Sequence, residues 1–408
     1  MTAREYPVFT VTPKAERSLR AGHPWVYGEE VTAVEGAYQN GDMVDVVSNK
    51  GRYLGTGWVN DHSKIRVRII SRNANDTFDE AFFRRRVCYA LNYRKTVMGP
   101  VDYRCCRLIF GEADQFPGLT VDRFENILVT QVLSLGMERR KDWVYRALVE
   151  LLREDDEQID AIYERNDVAI RTLEGLEQGK GFYQMEGLKT DLSGHVTITE
   201  NGIKYDVDYI EGQKTGFFLD QKYNRQAAAK LARGRRVLDC FTHTGAFALN
   251  AAAAGAEHVT AVDVSAFALE LAAENGKRNG LTNLDYKCAD VFDLLTEMAK
   301  EKKCDYDYII LDPPAFTKSR ATAKNAYHGY KEINRKAMRL LPRGGYLATC
   351  SCSHFMTDEM FRKMLQEAAL DAGVTLRQIE ARQQAPDHPI LPGVPETDYL
   401  KFYLLQVV

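Results

Sequence analysis

Near the N-terminus three stretches cluster or alternate β-forming residues between Gly, Asn and Asp turns: Asp42-Met-Val-Asp-Val-Val-Ser48, Gly51-Arg-Tyr-Leu-Gly-Thr-Gly-Trp-Val59 and Lys64-Ile-Arg-Val-Arg-Ile-Ile70. Several short strands in succession predict a compact, all-β module. Ahead of them, Pro13-Lys-Ala-Glu-Arg-Ser-Leu-Arg20 opens on proline and continues in a helical pattern, so one short helix is expected to pack against that module. The period then changes. In Phe78-Asp-Glu-Ala-Phe-Phe-Arg-Arg-Arg-Val-Cys-Tyr-Ala-Leu-Asn-Tyr-Arg94 apolar residues recur every three or four positions, as on an amphipathic helix. A buried strand at Asn126-Ile-Leu-Val-Thr-Gln-Val-Leu133, a helix near 138–153 and a strand at Ala161-Ile-Tyr-Glu-Arg165 follow. The pattern divides the chain into residues 1–73, a small β-barrel; 74–190, a central α+β domain; and 191–408, a third domain.

The third domain begins with a hairpin. Asn201-Gly202 stands between alternating segments in Val196-Thr-Ile-Thr-Glu-Asn-Gly-Ile-Lys-Tyr-Asp-Val-Asp208, the strongest short-range hairpin signal there is. Strands at 236–240, 258–262, 284–288 and 306–311 then alternate with helices at 221–232, 246–255, 266–279 and 291–300. That alternation predicts an α/β fold, a Rossmann-like doubly wound parallel sheet with helices on both faces.

Composition narrows the class. The chain of 408 residues is 45% hydrophobic and 27% charged, as in ordinary globular proteins, and no apolar run approaches the roughly 20 residues that span a bilayer. The first residues lack the pattern of a secretory signal, so a cytoplasmic location is expected. Eight cysteines at 88, 105, 106, 240, 288, 304, 350 and 352 form no Cys-x-x-Cys pair and no zinc-finger spacing, which argues against a metal. Net charge is −3, yet residues 1–110 hold 17 Lys+Arg against 12 Asp+Glu. A polyanionic partner would therefore favour the N-terminal third.

In doubly wound sheets ligands bind beyond the carboxyl ends of the strands. Four acidic residues fall at such ends. Arg236-Val-Leu-Asp239 runs into a turn, Cys-Phe-Thr-His-Thr244-Gly245, whose glycine lets a ligand approach the backbone; His258-Val-Thr-Ala-Val-Asp263 places a carboxylate where a ribose diol would donate; the third strand delivers Asp290, and the fourth Asp312-Pro313-Pro314-Ala-Phe316. Singly, Asp239 and Asp290 are equally good helix caps. Neither the G-x-G-x-x-G of nicotinamide enzymes nor the G-x-x-x-x-G-K-[ST] of nucleoside triphosphatases is present.

The order of these motifs resembles that of class I methyltransferases that use S-adenosylmethionine (SAM), and Asp312-Pro-Pro-Ala-Phe316 resembles the D-P-P-x-[FY] signature of enzymes acting on nucleobases. More narrowly, Gly212-Gln-Lys-Thr-Gly-Phe-Phe-Leu-Asp-Gln-Lys-Tyr-Asn-Arg225, Tyr163-Glu-Arg-Asn-Asp167 and the N-terminal module resemble the RlmI-like family of ribosomal large subunit methyltransferases, over essentially the whole chain. That resemblance implies an N-terminal PUA domain that binds RNA, SAM as cofactor, and 5-methylcytosine formed in 23S rRNA, with no membrane or DNA partner and a possible homodimer. It also implies that Asp239 and Gly245 line the methionine end of SAM, that Asp263 holds the ribose, that Asp290 reaches the adenine, and that Thr244 and Asp312 belong to the same cofactor site. By the same resemblance Phe218 and Gln221 border the cofactor or base pocket.

Carbon 5 of cytosine is a poor nucleophile, so methylation there needs covalent attack on carbon 6, for which a thiolate is well suited. Gly345-Tyr-Leu-Ala-Thr-Cys350-Ser-Cys352-Ser353 is a strand candidate whose two cysteines share one face by period two. Cys352, nearer the carboxyl end and matching the family's S-C-S segment, is the expected nucleophile; the alternative for either cysteine is a buried small hydrophobe. Better-known RNA cytosine methyltransferases carry a second cysteine after the prolines, whereas Ala315 and Phe316 stand here, which leaves Asp312 as the candidate base. A second reading uses Asp312 and the Pro313 carbonyl as acceptors for an exocyclic amine, with Phe316 stacking on the base, and gives N-methylation of guanine or adenine. Lys318 and Arg320 are candidate phosphate contacts in either case. A third reading is a noncatalytic RNA-binding or assembly factor.

Overall fold

The computed structural model describes residues 5–301, 304–317 and 319–408, and of Arg320 the backbone alone. Lys318 therefore lies outside the described residues. The chain divides into two compact units, one of residues 1–198, 207–219 and 386–397, the other of 199–206, 220–385 and 398–408.

The first unit contains two sheets. Six strands lie in the order Trp25–Tyr27, Ile65–Ser71, Tyr53–Val59, Met43–Ser48, Val8–Val11, Val31–Glu35. All neighbours are antiparallel except Val8–Val11 beside Met43–Ser48. Phe9, Val11, Val26, Val44, Val46, Val59 and Val67 fill the interior, and the helix Pro13–Arg20, capped by the Thr12 hydroxyl, adds Ala15 and Leu19 to it. The second sheet orders Lys180–Phe182, Ala161–Arg165, Ile127–Val132, Leu119–Phe124, Cys105–Phe110, with the helices Glu80–Val97 and Lys141–Glu154. Both sheets thus share one unit, where the sequence suggests two domains. So does a segment from far down the chain: Asp387, fully buried, accepts the Arg107 N–H at 2.9 Å, and its carbonyl accepts from Arg94 at 2.9 Å.

The hairpin follows the sequence pattern. Asn201 and Gly202 both have positive φ, 53° and 79°, as the tight turn requires. The second unit carries the Rossmann-like sheet. Its strands are β1 (Arg236–Cys240), β2 (His258–Asp263), β3 (Leu284–Cys288), β4 (Tyr308–Leu311), β5 (Tyr346–Ser351), β6 (Leu376–Arg382) and β7 (Lys401–Val407), in the spatial order β3-β2-β1-β4-β5-β7-β6. The first five run parallel and β7 is antiparallel to both neighbours. Parallel strands buried on both faces read as apolar runs, as in Tyr308-Ile-Ile-Leu311. Six helices, α1 (Lys222–Ala229), α2 (Ala246–Ala253), α3 (Ala266–Arg278), α4 (Val291–Glu301), α5 (Ala323–Leu340) and α6 (Asp358–Ala372), accompany it. Two clusters built on Leu238, Ile309, Tyr330, Ile333 and Phe361, and on Val237, Phe247, Val259, Ile310 and Phe402, form the core. Strand order reverses between β2-β1 and β4, the place where such sheets open a crevice at their carboxyl ends. No described helix is long and apolar enough to cross a membrane.

Candidate active site

The loop after β1 is the first wall. Phe241, His243 and Gly245 have φ of 64°, 51° and 85°, so three of five successive residues are left-handed, two of them at a cost that non-glycine residues bear only under constraint. The constraint is a set of hydrogen bonds. Thr242 N–H donates to the Val262 carbonyl at 2.9 Å, His243 N–H to Asp263 Oδ2 at 2.8 Å, and Gly245 N–H to the Thr242 carbonyl at 2.9 Å. A Cβ at Gly245 would stand 2.9 Å from the Ala272 Cβ, so glycine is dictated there by conformation and by space. Thr244 sits half-buried in the same loop.

Asp239 lies beneath this loop with no exposed surface. Its Oδ2 accepts from the Thr242 hydroxyl at 2.6 Å and from Ala248 N–H at 2.9 Å, while its Oδ1 is buried and has no hydrogen-bond partner among the described residues. Burial pushes its carboxyl up to about 7. A buried acceptor of this kind favours a cationic or N–H-bearing ligand. The amino group of SAM's methionine portion is such a ligand, so these residues fit the cofactor that the resemblance implies. Asp263 keeps Oδ1 on Ser265 N–H at 3.0 Å, and beside it Val264 and Phe267 are exposed. Asp290 is exposed and caps α4, its Oδ1 accepting from Phe292 N–H at 2.8 Å and Asp293 N–H at 3.1 Å. Its capping role is therefore seen directly.

The second wall follows β4. Asp312 Oδ1 accepts from Gln221 Nε2 at 2.9 Å; Gln221 Oε1 in turn accepts from Asn224 Nδ2 at 2.7 Å. Burial first, then the Asp220 carboxylate, pushes Asp312 up to about 6. Phe218 belongs to the first unit, where the Lys214 ammonium lies 4.7 Å from its ring centroid. Phe316 turns inward, its ring centroid 4.5 Å from that of Tyr330 and 5.8 Å from that of Phe292. Pro313 is buried and Pro314 exposed.

The two cysteines part company. Cys350 lies within β5 with no exposed surface, its thiol hydrogen-bonded to Asp312 and Gln221, and burial holds its pKa well above the ordinary thiol value. Cys352 comes just after the strand's last residue, half-buried, its Sγ 4.0 Å from the Pro313 carbonyl oxygen. One residue that sequence reasoning missed stands beside it: Lys401, 4% exposed, donates from Nζ to the carbonyls of Ser353 and Tyr399 at 2.7 and 2.8 Å. A lysine opening the apolar run Lys401-Phe-Tyr-Leu-Leu405 reads as a strand-end charge, and only the pairing of Lys401 with Ser351 brings it to Cys352. Tyr330, whose hydroxyl is 3.0 Å from that of Ser353, was equally hidden in a helix.

Comparison with known proteins agrees with this architecture. A PUA-like domain model matches residues 9–72, and an S-adenosylmethionine-dependent methyltransferase model matches residues 182–405. The chain is 40% identical to the ribosomal RNA large subunit methyltransferase I of Pseudoalteromonas atlantica, over 98% of this chain and 99% of that one. It is 42% identical to that of Aeromonas salmonicida over 95% and 96%. Among solved structures, a candidate SAM-dependent methyltransferase from Streptococcus mutans superposes with a TM-score of 0.81 at 22% identity, covering 98% of this chain and all of that one, a likeness of fold. With two in five residues shared along nearly its full length, and with the SAM-dependent domain matched on its own, the protein belongs to the ribosomal RNA large subunit methyltransferase I family.

Proposed function

We propose that this protein transfers a methyl group from SAM to carbon 5 of a cytosine in large-subunit rRNA, with Cys352 as nucleophile. The observation that carries the reading is the contrast between the two cysteines. Cys350 is sealed in the sheet, whereas Cys352 is half-buried past the strand end, against the carbonyl of the Asp-Pro-Pro loop. The RNA substrate is inferred from the names of the relatives and from the PUA-like domain.

SAM, when bound, supplies an electrophilic methyl group. The Asp239 Oδ1, Thr244 and Gly245 would hold its methionine end, Asp263 its ribose and Asp290 its adenine, with Phe218 and Gln221 bordering the pocket. Pro313 and Pro314 would face the base. Cys352, as thiolate, adds to carbon 6 of the cytosine; the new S–C6 bond shifts the C5=C6 pair onto carbon 5, which then takes the methyl group. A base removes the carbon 5 proton, the pair re-forms C5=C6, and the S–C6 bond breaks to return the thiolate. Asp312 suits that base: a carboxyl raised to about 6 accepts a proton in the working range and passes it to solvent. N-methylation through the same loop is the second reading, but it asks Phe316 to stack on a base, and its ring is engaged with Tyr330 and Phe292.

The test is methyl transfer from labelled SAM to deproteinised rRNA, followed by nucleoside analysis by mass spectrometry, for the native protein and Cys352→Ala. Labelled 5-methylcytosine that disappears in the variant supports the proposal. Labelled methylguanine or methyladenine, or full turnover by the variant, would overturn it, and absence of SAM binding would favour a noncatalytic RNA-binding factor.

A further inference from the structure

Lys401 is the first residue of β7, and antiparallel pairing places it opposite Ser351, the last residue of β5. Its side chain is buried where an ammonium is costly to leave without compensation. Two of its three N–H donors go to the carbonyls of Ser353 and Tyr399. No carboxylate among the described residues lies within ion-pair distance of it. Asp398 and Asp358 act on it from farther off, and of all the charged neighbours Cys352 acts most strongly. The Ser353 carbonyl that Lys401 holds belongs to the residue immediately after Cys352, so one cation both fixes the turn and acts on the thiol.

Resting on the reading of Cys352 as nucleophile, we propose that Lys401 is a positioning residue that keeps Cys352 as a thiolate and fixes its turn. The thiol proton goes to solvent; the ammonium keeps its three. Other groups around the thiol work the opposite way or are neutral: Asp312 from the Asp-Pro-Pro loop, raised to about 6, is negative at neutral pH, while Cys350 from β5 and Tyr330 from α5 stay protonated because burial raises them. Lys401 is thus the cation that offsets them. Burial lowers Lys401 itself to about 8, so its charge is present at neutral pH and fades in mild alkali. The stabilisation of the thiolate is therefore lost as Lys401 gives up its proton in mild alkali.

The test is the pH dependence of iodoacetamide alkylation at Cys352, followed by peptide mass spectrometry on the full-length protein without RNA, for native, Lys401→Met, Lys401→Gln and Lys401→Arg. Loss of the cation should raise the apparent pKa of Cys352 by about one unit and slow alkylation near neutrality by about tenfold, and arginine should restore most of it. The melting temperature identifies a variant that has failed to fold, in which case the glutamine variant replaces the methionine one. Profiles that superimpose on the native one in a folded variant would overturn the proposal, since a purely structural clamp would leave the thiol's titration unmoved. Turnover by Cys352→Ala would instead overturn the nucleophile reading without touching the alkylation profile, so the two failures are separable.

Discussion

The Gln221 side-chain amide donates to Asp312 Oδ1 at 2.9 Å, which fastens the entry to α1 onto the Asp-Pro-Pro loop. Gln221 is 4% exposed, and its own carbonyl is held by Asn224, so the amide is locked in the orientation that favours the ionised carboxylate. Gln221→Leu removes that donor and should raise Asp312 further. If Asp312 takes the carbon 5 proton as a carboxylate, the acid limb of the pH–rate profile moves to higher pH by about one unit. An unmoved limb would remove Asp312 from the proton transfer.

If Asp239 holds the ammonium of SAM as proposed, cofactor binding depends on pH. Its carboxyl is held near 7, so the free protein carries it largely protonated at pH 6, while an ammonium ligand prefers it ionised. Affinity for SAM should therefore rise with pH up to about 7 and level off until the ligand's own amino group, with an ordinary pKa of about 8, loses its proton. Asp239→Asn should weaken binding by about tenfold to a hundredfold and flatten the dependence, as calorimetry at pH 6 and pH 7.5 would show.

RNA containing 5-fluorocytosine has no carbon 5 proton to lose, so the proposed covalent adduct could not resolve. The native protein should form an adduct that survives denaturing electrophoresis, and Cys352→Ala should form none. Cys350→Ala should still form it, because that thiol lies within the sheet. An adduct in Cys352→Ala and none in Cys350→Ala would reverse the assignment.

Phe316 separates packing from base stacking. With its ring against Tyr330 and Phe292, Phe316→Ala should cost about 2–3 kcal/mol of stability. Phe316→Leu, which keeps most of the apolar volume, should lower the melting temperature modestly and leave KM for RNA near the native value. A large rise in KM with unchanged stability would return Phe316 to the substrate.

The sheet and its acidic strand ends were legible because both obey local rules. Period and turn chemistry place β1 to β4 within a residue or two, and Asn201-Gly202 specifies its turn through positive φ alone. What escaped was long-range. The expectation that Cys350 and Cys352 share one face treats the strand as continuing, but β5 ends at Ser351, so the backbone leaves the sheet between them. Lys401 comes to the turn after Cys352 only because β7 returns antiparallel beside β5, pairing Lys401 with Ser351, 50 residues away in sequence, which no local pattern encodes. Asp290 shows the reverse case, where the plainer use of an aspartate, capping a helix, is present in the geometry.

The interleaving of the two units sets a constraint on how the chain is made. Residues 386–397 belong with the N-terminal sheets, and Arg94 and Arg107 find their Asp387 partner only there. Domains usually mature in order of synthesis, N-terminal first. Here the N-terminal sheets wait for a segment translated much later, so Arg94 and Arg107 stay without Asp387 until the chain has grown 280 residues past Arg107. A nascent chain stalled before residue 386 should therefore remain protease-sensitive in its N-terminal portion, and a stop ahead of residue 386 would leave sheets made some hundreds of residues earlier unfinished.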